Sequence, residues 1–220
     1  MKAIDIAQKL GDACYLFLAL NFLWGLYCVF MSFMRVRKLS FRSTKQQTEF
    51  MEQLMALLGT GQYRAAEELC EDDERALPQL AYLAIVNRDI GQEPLRQLVL
   101  EVLQRDILAD LDRITGWVAT VIKSGPLLGL FGTVLGMMAA FGRIGTGDKV
   151  QTSQIADEIS IALICTAMGL ATAIPFNYML ANINARVGKL RDSLSAGLVR
   201  VLDHFQKRPV VRREREHAHA

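Results

Sequence analysis

The run GPLLGLFGTVLGM at 125–137 decides the fold, because it lies in an uncharged stretch, 124–142, that a short polar connection joins to a second such stretch, 159–185. Two apolar runs so closely spaced predict a transmembrane hairpin. The four glycines of the run fall into two small-xxx-small frames, Gly125 with Gly129 and Gly132 with Gly136, a spacing that lets helix backbones approach closely. The second stretch contains ISIALICTAMGLATAIP at 159–175, mixing small residues with hydroxyls where a plain lipid anchor needs only leucine-like bulk.

Working outward, residues 13–34 form a third uncharged stretch, long enough to span a hydrocarbon core of roughly 30 Å. Its apolar run is too long for the core of a cleaved signal peptide, and no small-x-small site follows it. The chain of 220 residues is 51% hydrophobic with a mean hydropathy of +0.20, yet 22% charged, so a sizeable part lies outside lipid. Arg35, Arg37, Lys38, Arg42 and Lys45 follow the first span with no acid before Glu49, whereas Lys2 and Lys9 are offset by Asp5 and Asp12. The positive-inside rule then puts the N-terminus outside. The expected order is a periplasmic N-terminus (1–12), a first span (13–34), a cytoplasmic helical domain (35–116), a second span (117–142), a periplasmic loop (143–157), a third span (158–185), a cytoplasmic helix (186–206) and a disordered tail (207–220).

The cytoplasmic part is expected to be helical throughout. Phe50, Leu54, Leu57 and Leu58 form one stripe that Gly59 and Gly61 stop; a second helix restarts over 63–70, and a third is predicted over 78–90 with Pro78 at its start and Gly91 as its breaker. From Glu93 onward Leu95, Val99, Val102, Leu103, Ile107, Leu111, Ile114 and Val118 recur at helical spacing, predicting one helix that runs unbroken into the second span. The third span continues likewise through Ile183, Val187, Leu190, Leu194, Leu198, Val201 and Phe205. A helix over 159–206 extends roughly 70 Å, about twice the bilayer, so half of it is expected in a cytoplasmic bundle.

Several functions are excluded. The net charge of +2 is small and sits beside membrane ends, which records topology rather than nucleic-acid binding. Cys14, Cys28, Cys70 and Cys165 show no C-x-x-C spacing and read as apolar packing rather than disulfides or metal ligands. The three histidines all lie at or beyond His204, and His217 and His219 sit in the charged tail. No phosphate-cradling G-K-[ST] loop or H-E-x-x-H motif is present, so enzymatic chemistry and resident cofactors are not expected.

The three uncharged stretches, 13–34, 124–142 and 159–185, hold no Asp, Glu, His, Lys or Arg. A hydroxyl cannot carry a proton at physiological pH but can bond one held elsewhere, so any proton carrier must come from a second polypeptide. Thr166 and Asn177 share a narrow face of the last span, and Thr133 shares a face with Pro126, Gly129 and Ala140, which makes Thr133, Thr166 and Asn177 the candidate polar lining. Taken singly, a membrane threonine most often returns its hydroxyl to a carbonyl of the preceding turn. Lys123 and Glu158 stand at the two mouths, Glu158 also reading as an acid on a helix N-terminus, and Pro175 should kink the third span and free a carbonyl.

GPLLGLFGTVLGM and TAMGLATAIP (166–175) resemble the two core helices of the MotA/TolQ/ExbB proton-channel family, more closely ExbB and TolQ than MotA. The resemblance implies an all-α membrane protein assembled as a homopentameric ring around a single-span ExbD/TolR-like subunit whose aspartate works beside Thr133 and Thr166, with a TonB/TolA-like effector beyond it. Protons are then the transported ion, and the membrane is the bacterial inner membrane. The same resemblance assigns Gly125, Pro126, Gly129, Gly132, Gly136, Gly169 and Pro175 to helix packing around the partner. Two departures mark a divergent branch: Ile161 stands where most ExbB and TolQ relatives carry a glutamate, five residues before the threonine, and Leu180-Ala181 replaces the Tyr-Asn that usually follows Ala-Ile-Pro.

Overall fold

A computed structural model describes residues 2–145 and 152–207. The tail with His217 and His219, and the middle of the loop between the second and third spans, lie outside the described residues. Among those described there is no strand. The elements are α1 (Lys2–Leu39), α2 (Thr44–Thr60), α3 (Tyr63–Glu71), α4 (Ala76–Val86), a 3-10 turn (Arg88–Ile90), α5 (Gln92–Val102), a π-helical segment (Leu103–Leu108), α6 (Ala109–Gly145) and α7 (Thr152–Lys207). Three helices, α1, α6 and α7, are long and apolar enough to cross a membrane.

The chain divides into two compact units. The first comprises Met1–Phe33 with Asp112–Ala185, the second Met34–Leu111 with Arg186–Ala220. In the first, the three spans pack through small residues. The outer faces stay apolar: Phe17, Leu20 and Phe30 on α1, Leu127 and Met138 on α6, and Leu163 and Ile174 on α7 are each more than half exposed, as lipid-facing positions require.

The second unit is built around α4, seven of whose eleven residues are buried. The stripe that the sequence marks on α7 is buried in the same unit, at Val187, Leu190, Leu194, Leu198 and Val201, and α7 meets α4 at Gly197. Contact is close enough that a Cβ on Gly197 would stand 2.6 Å from Leu77 Cδ1. Polar bonds fix the register; Ser193 Oγ donates to Gln47 Oε1 at 2.6 Å, and Arg35 Nε donates to Asp110 Oδ2 at 2.9 Å.

Helix ends correct three expectations. Gly59 does not stop α2, which runs to Thr60; Gly61 does, at φ 79°, with Gly61 N–H donating to Leu58 O and Gln62 N–H to Leu57 O. That bonding needs a left-handed residue, and only the second glycine adopts it. The third cytoplasmic helix is Ala76–Val86 rather than 78–90, with a 3-10 turn after it. Pro78 sits at its third position, where the missing N–H has no helical partner to lose.

The helix from α5 into α6 does run on without a break, but through the π-helical segment. Leu95, Val99, Leu103, Ile107 and Leu111 are buried at strict steps of four. On an α-helix each such step drifts about 40°, and a wider turn takes up the drift and keeps all five on one face.

Cys70, on α3, is 1% exposed. Burial pushes its thiol from the ordinary value of 9.0 up to about 12, and the Asp73 carboxylate adds to the effect. The folded chain should therefore resist alkylation. In a variant carrying Cys70 alone, iodoacetamide at pH 8 is expected to react about a thousandfold more slowly than with the unfolded chain, because the thiolate fraction falls by that ratio. Below pH 9 the thiol is neutral in both states. Above it the unfolded state loses the proton first, so this contribution to stability declines as pH rises from about 9 toward 12. Alkylation at equal rates before and after unfolding would show that Cys70 is not buried.

Candidate functional site

The site is the seam of the first unit, where α6 crosses α7. The glycine frames make it. A Cβ on Gly169 would lie 2.6 Å from Gly125 O, one on Gly129 2.9 Å from both Cys165 O and Thr166 Cα, and one on Gly136 2.6 Å from Ala162 Cβ. Gly132 meets the side chain of Cys165 and, at 3.5 Å, Cys14 Cβ on α1. Those faces of Gly125, Gly129, Gly132, Gly136 and Gly169 are therefore occupied within the chain, where α6 seats its own α7. The small-xxx-small spacing is symmetric with respect to neighbours, so sequence shows that a close approach occurs and not which helix makes it.

The contacts pair 129 with 165–166 and 136 with 162. Thr133, midway between those two glycines, thus lies within about one turn, roughly 5 Å of depth, of Thr166. Their hydroxyls differ in state. Thr133 is 4% exposed and donates to Leu130 O at 2.7 Å, the local bond usual for a membrane threonine. The Thr166 hydroxyl oxygen is shielded from solvent yet has no hydrogen-bond partner among the described residues. A shielded hydroxyl of this kind is costly to leave unbonded, so a donor or acceptor from outside the described residues would be favoured there.

The other candidates spread apart. Asn177 shares the Thr166 face but stands eleven residues on, about 16 Å along the axis, and is exposed. Pro175 is exposed and Pro126 half-buried, each within an unbroken helix; their missing N–H groups leave the carbonyls of Ala171 and Ile122 without the usual helical bond. Lys123 is exposed. Glu158 is half-buried, and it is not an N-terminal acid: α7 begins at Thr152, so Glu158 lies beyond the first turn, to which the dipole effect is confined.

Sequence reasoning missed the part played by α1. Gly25 packs so closely that a Cβ there would meet Val121 Cγ1 at 2.7 Å and the Phe176 ring at 2.9 Å. Ser124 Oγ donates to Asn21 Oδ1 at 2.9 Å, and Tyr15 OH donates to Ile161 O at 2.7 Å. Cys14, Leu18, Leu135 and Cys165 form one buried cluster. The signal was present in Asn21, the single amide side chain in the first uncharged stretch and costly in lipid unless bonded.

A family model described as the MotA/TolQ/ExbB proton channel family matches residues 74–196, more than half of the chain. The chain belongs to that family. The match takes in α4, α5, α6 and most of α7, and so covers the whole seam. Among curated proteins, the chain is 40% identical over 77 residues to "Biopolymer transport protein ExbB" of Aquifex aeolicus, covering 35% of this chain and 50% of that one. It is 32% identical over 123 residues to the protein of the same name from Pseudomonas putida, covering 51% and 37%. With "Tol-Pal system protein TolQ" of Haemophilus influenzae it shares 37% over 82 residues, 36% of each. The chain thus spans half or less of the length of these relatives. With three apolar helices, this member of a proton channel family is a multi-pass membrane protein.

Proposed function

We propose that the chain is the stator subunit of an inner-membrane motor of the ExbB–ExbD or TolQ–TolR kind, using the proton-motive force to move a partner subunit and energise a process in the cell envelope. The observation that carries this reading is the solvent-shielded hydroxyl of Thr166 beside Thr133, unbonded among the described residues, on uncharged stretches that contain no Asp, Glu, His, Lys or Arg. A proton crossing there needs a carboxylate from a second polypeptide, which a single-span partner with one intramembrane aspartate provides. The apolar outer faces suit a ring of identical copies around that partner, and by the family's pattern the ring is a pentamer. Periplasmic N-terminus and cytoplasmic C-terminus follow from the basic residues after the first span.

Each proton yields roughly 2.3 kcal/mol per 100 mV, so the work suits small repeated steps rather than one large switch. A second reading, a membrane scaffold with this fold that conducts nothing, is favoured by Ile161: its side chain is 55% exposed where the family's glutamate stands. Liposomes carrying this chain and its co-encoded single-span neighbour separate the two. The motor reading expects proton uptake driven by an imposed potential, lost when the neighbour's membrane aspartate becomes asparagine. Background flux from a correctly assembled complex would establish the scaffold instead.

A further inference from the structure

Where α1 ends, the second unit contains an open cavity of about 610 Å³ that no part of the motor mechanism uses. Its charged lining is Arg37, Lys38, Arg42 and Arg75 with Glu49 and Asp73. Two of the cations are already engaged. Arg75 bonds Asp73 at 2.7 Å and lies over the Phe41 ring at 4.2 Å, while Lys38 reaches Glu74 at 2.8 Å. Arg37, Arg42 and Glu49 make no hydrogen bond or ion pair among the described residues, which leaves the cavity one unmatched positive charge. Phe41, Phe50 and Leu69 give it an apolar wall.

Arg37 and Lys38 stand only three and four residues beyond Met34, the last residue of the first uncharged stretch, on the same helix. Side chains in that position lie at headgroup depth, where guanidinium groups meet phosphate and long stems lie along acyl carbon. We propose that this cavity seats the phosphodiester headgroup of an anionic phospholipid from the leaflet that α1 leaves at Met34. One phosphodiester charge matches the one unmatched positive charge, and the two free guanidinium groups supply the forked donors that phosphate oxygens accept. The apolar wall favours a lipid over a free phosphate ion, because it offers the glycerol and first methylenes a dry surface. The site stands apart from proton conduction and does not depend on it.

The test is binding of phosphatidylglycerol, phosphatidylcholine, phosphatidylethanolamine and inorganic phosphate to the detergent-solubilised full chain, followed by mass spectrometry of the intact protein. Saturable uptake of phosphatidylglycerol is expected, at least tenfold tighter than the two zwitterionic lipids and not displaced by millimolar phosphate. The double variant Arg37→Gln/Arg42→Gln should lose at least tenfold in affinity. Arg64→Gln/Arg96→Gln, with the same charge change on exposed positions outside the cavity, should keep it, and Glu49→Gln should tighten binding by removing a like charge. Equal losses in the two arginine pairs would reduce the effect to general surface charge and overturn the proposal. Displacement by inorganic phosphate would make it a soluble-anion site, and weaker binding in Glu49→Gln with a preference for phosphatidylethanolamine would make it an amine-lipid site; either result refutes it too.

Discussion

Leucine at Gly169 is expected to abolish the folded hairpin, leaving a chain that is degraded or that unfolds at once in mild detergent. The nearest atoms to a Cβ there are Gly125 O at 2.6 Å, Gly125 C at 3.1 Å and Gly129 Cα at 3.4 Å, all of them backbone. No side chain can rotate aside, so α6 and α7 must part along the whole seam. Even alanine demands nearly 1 Å of separation and should cost about 1–3 kcal/mol. The series is graded by what stands in the way. Gly132→Ala meets the Cys165 side chain and should cost less than Gly169→Ala, whereas Gly116→Ala meets nothing within 4 Å and should stabilise its helix by about 0.5–1 kcal/mol. Detergent-induced unfolding of the three alanine variants measures the order, and a Gly169→Ala chain as stable as Gly116→Ala would remove the seam from the account.

Replacing Thr133 and Thr166 together with valine is expected to leave assembly and thermal stability nearly unchanged while proton flux with the single-span partner falls about a hundredfold. Valine keeps the shape, so the loss isolates two hydroxyls. A hydrogen bond to a charged group contributes about 1.5–3 kcal/mol, roughly ten- to a hundredfold in rate. The single variants should be unequal. Thr166 has a hydroxyl with no partner among the described residues, whereas the Thr133 proton is already given to Leu130 O and only its oxygen remains to accept. Thr166→Val should therefore slow flux more than Thr133→Val. Full flux in the double variant would take the threonines out of the proton path, and equal effects from the two singles would mean that the Leu130 bond is broken in the working complex.

Tyr15 on α1 donates to the Ile161 carbonyl, so the place of the family's glutamate is tied by backbone to the first span. A carboxylate introduced there would project from an exposed position of α7, since Ile161 is 55% exposed.

The sequence by itself determined that three uncharged stretches span a membrane, that the last two make a hairpin of closely approaching helices, and that α7 carries a stripe from Ile183 to Val201 into a second packed unit. Each of these rests on composition or on a period of 3.6, which a single helix writes into its own residues regardless of neighbours. It took the packed helices to show that the glycines of α6 are taken up by α7 of the same chain, that Asn21, Gly25 and Tyr15 lock α1 to the seam, and that, among the described residues, Thr166 is unbonded while Thr133 is not. Those facts concern which surfaces meet, and a glycine or a hydroxyl carries no mark of the residue it will face. The π-helical segment stands between the two cases: five apolar residues at steps of four were legible, but the wider turn that keeps them aligned exists only because a packed core holds them to one face.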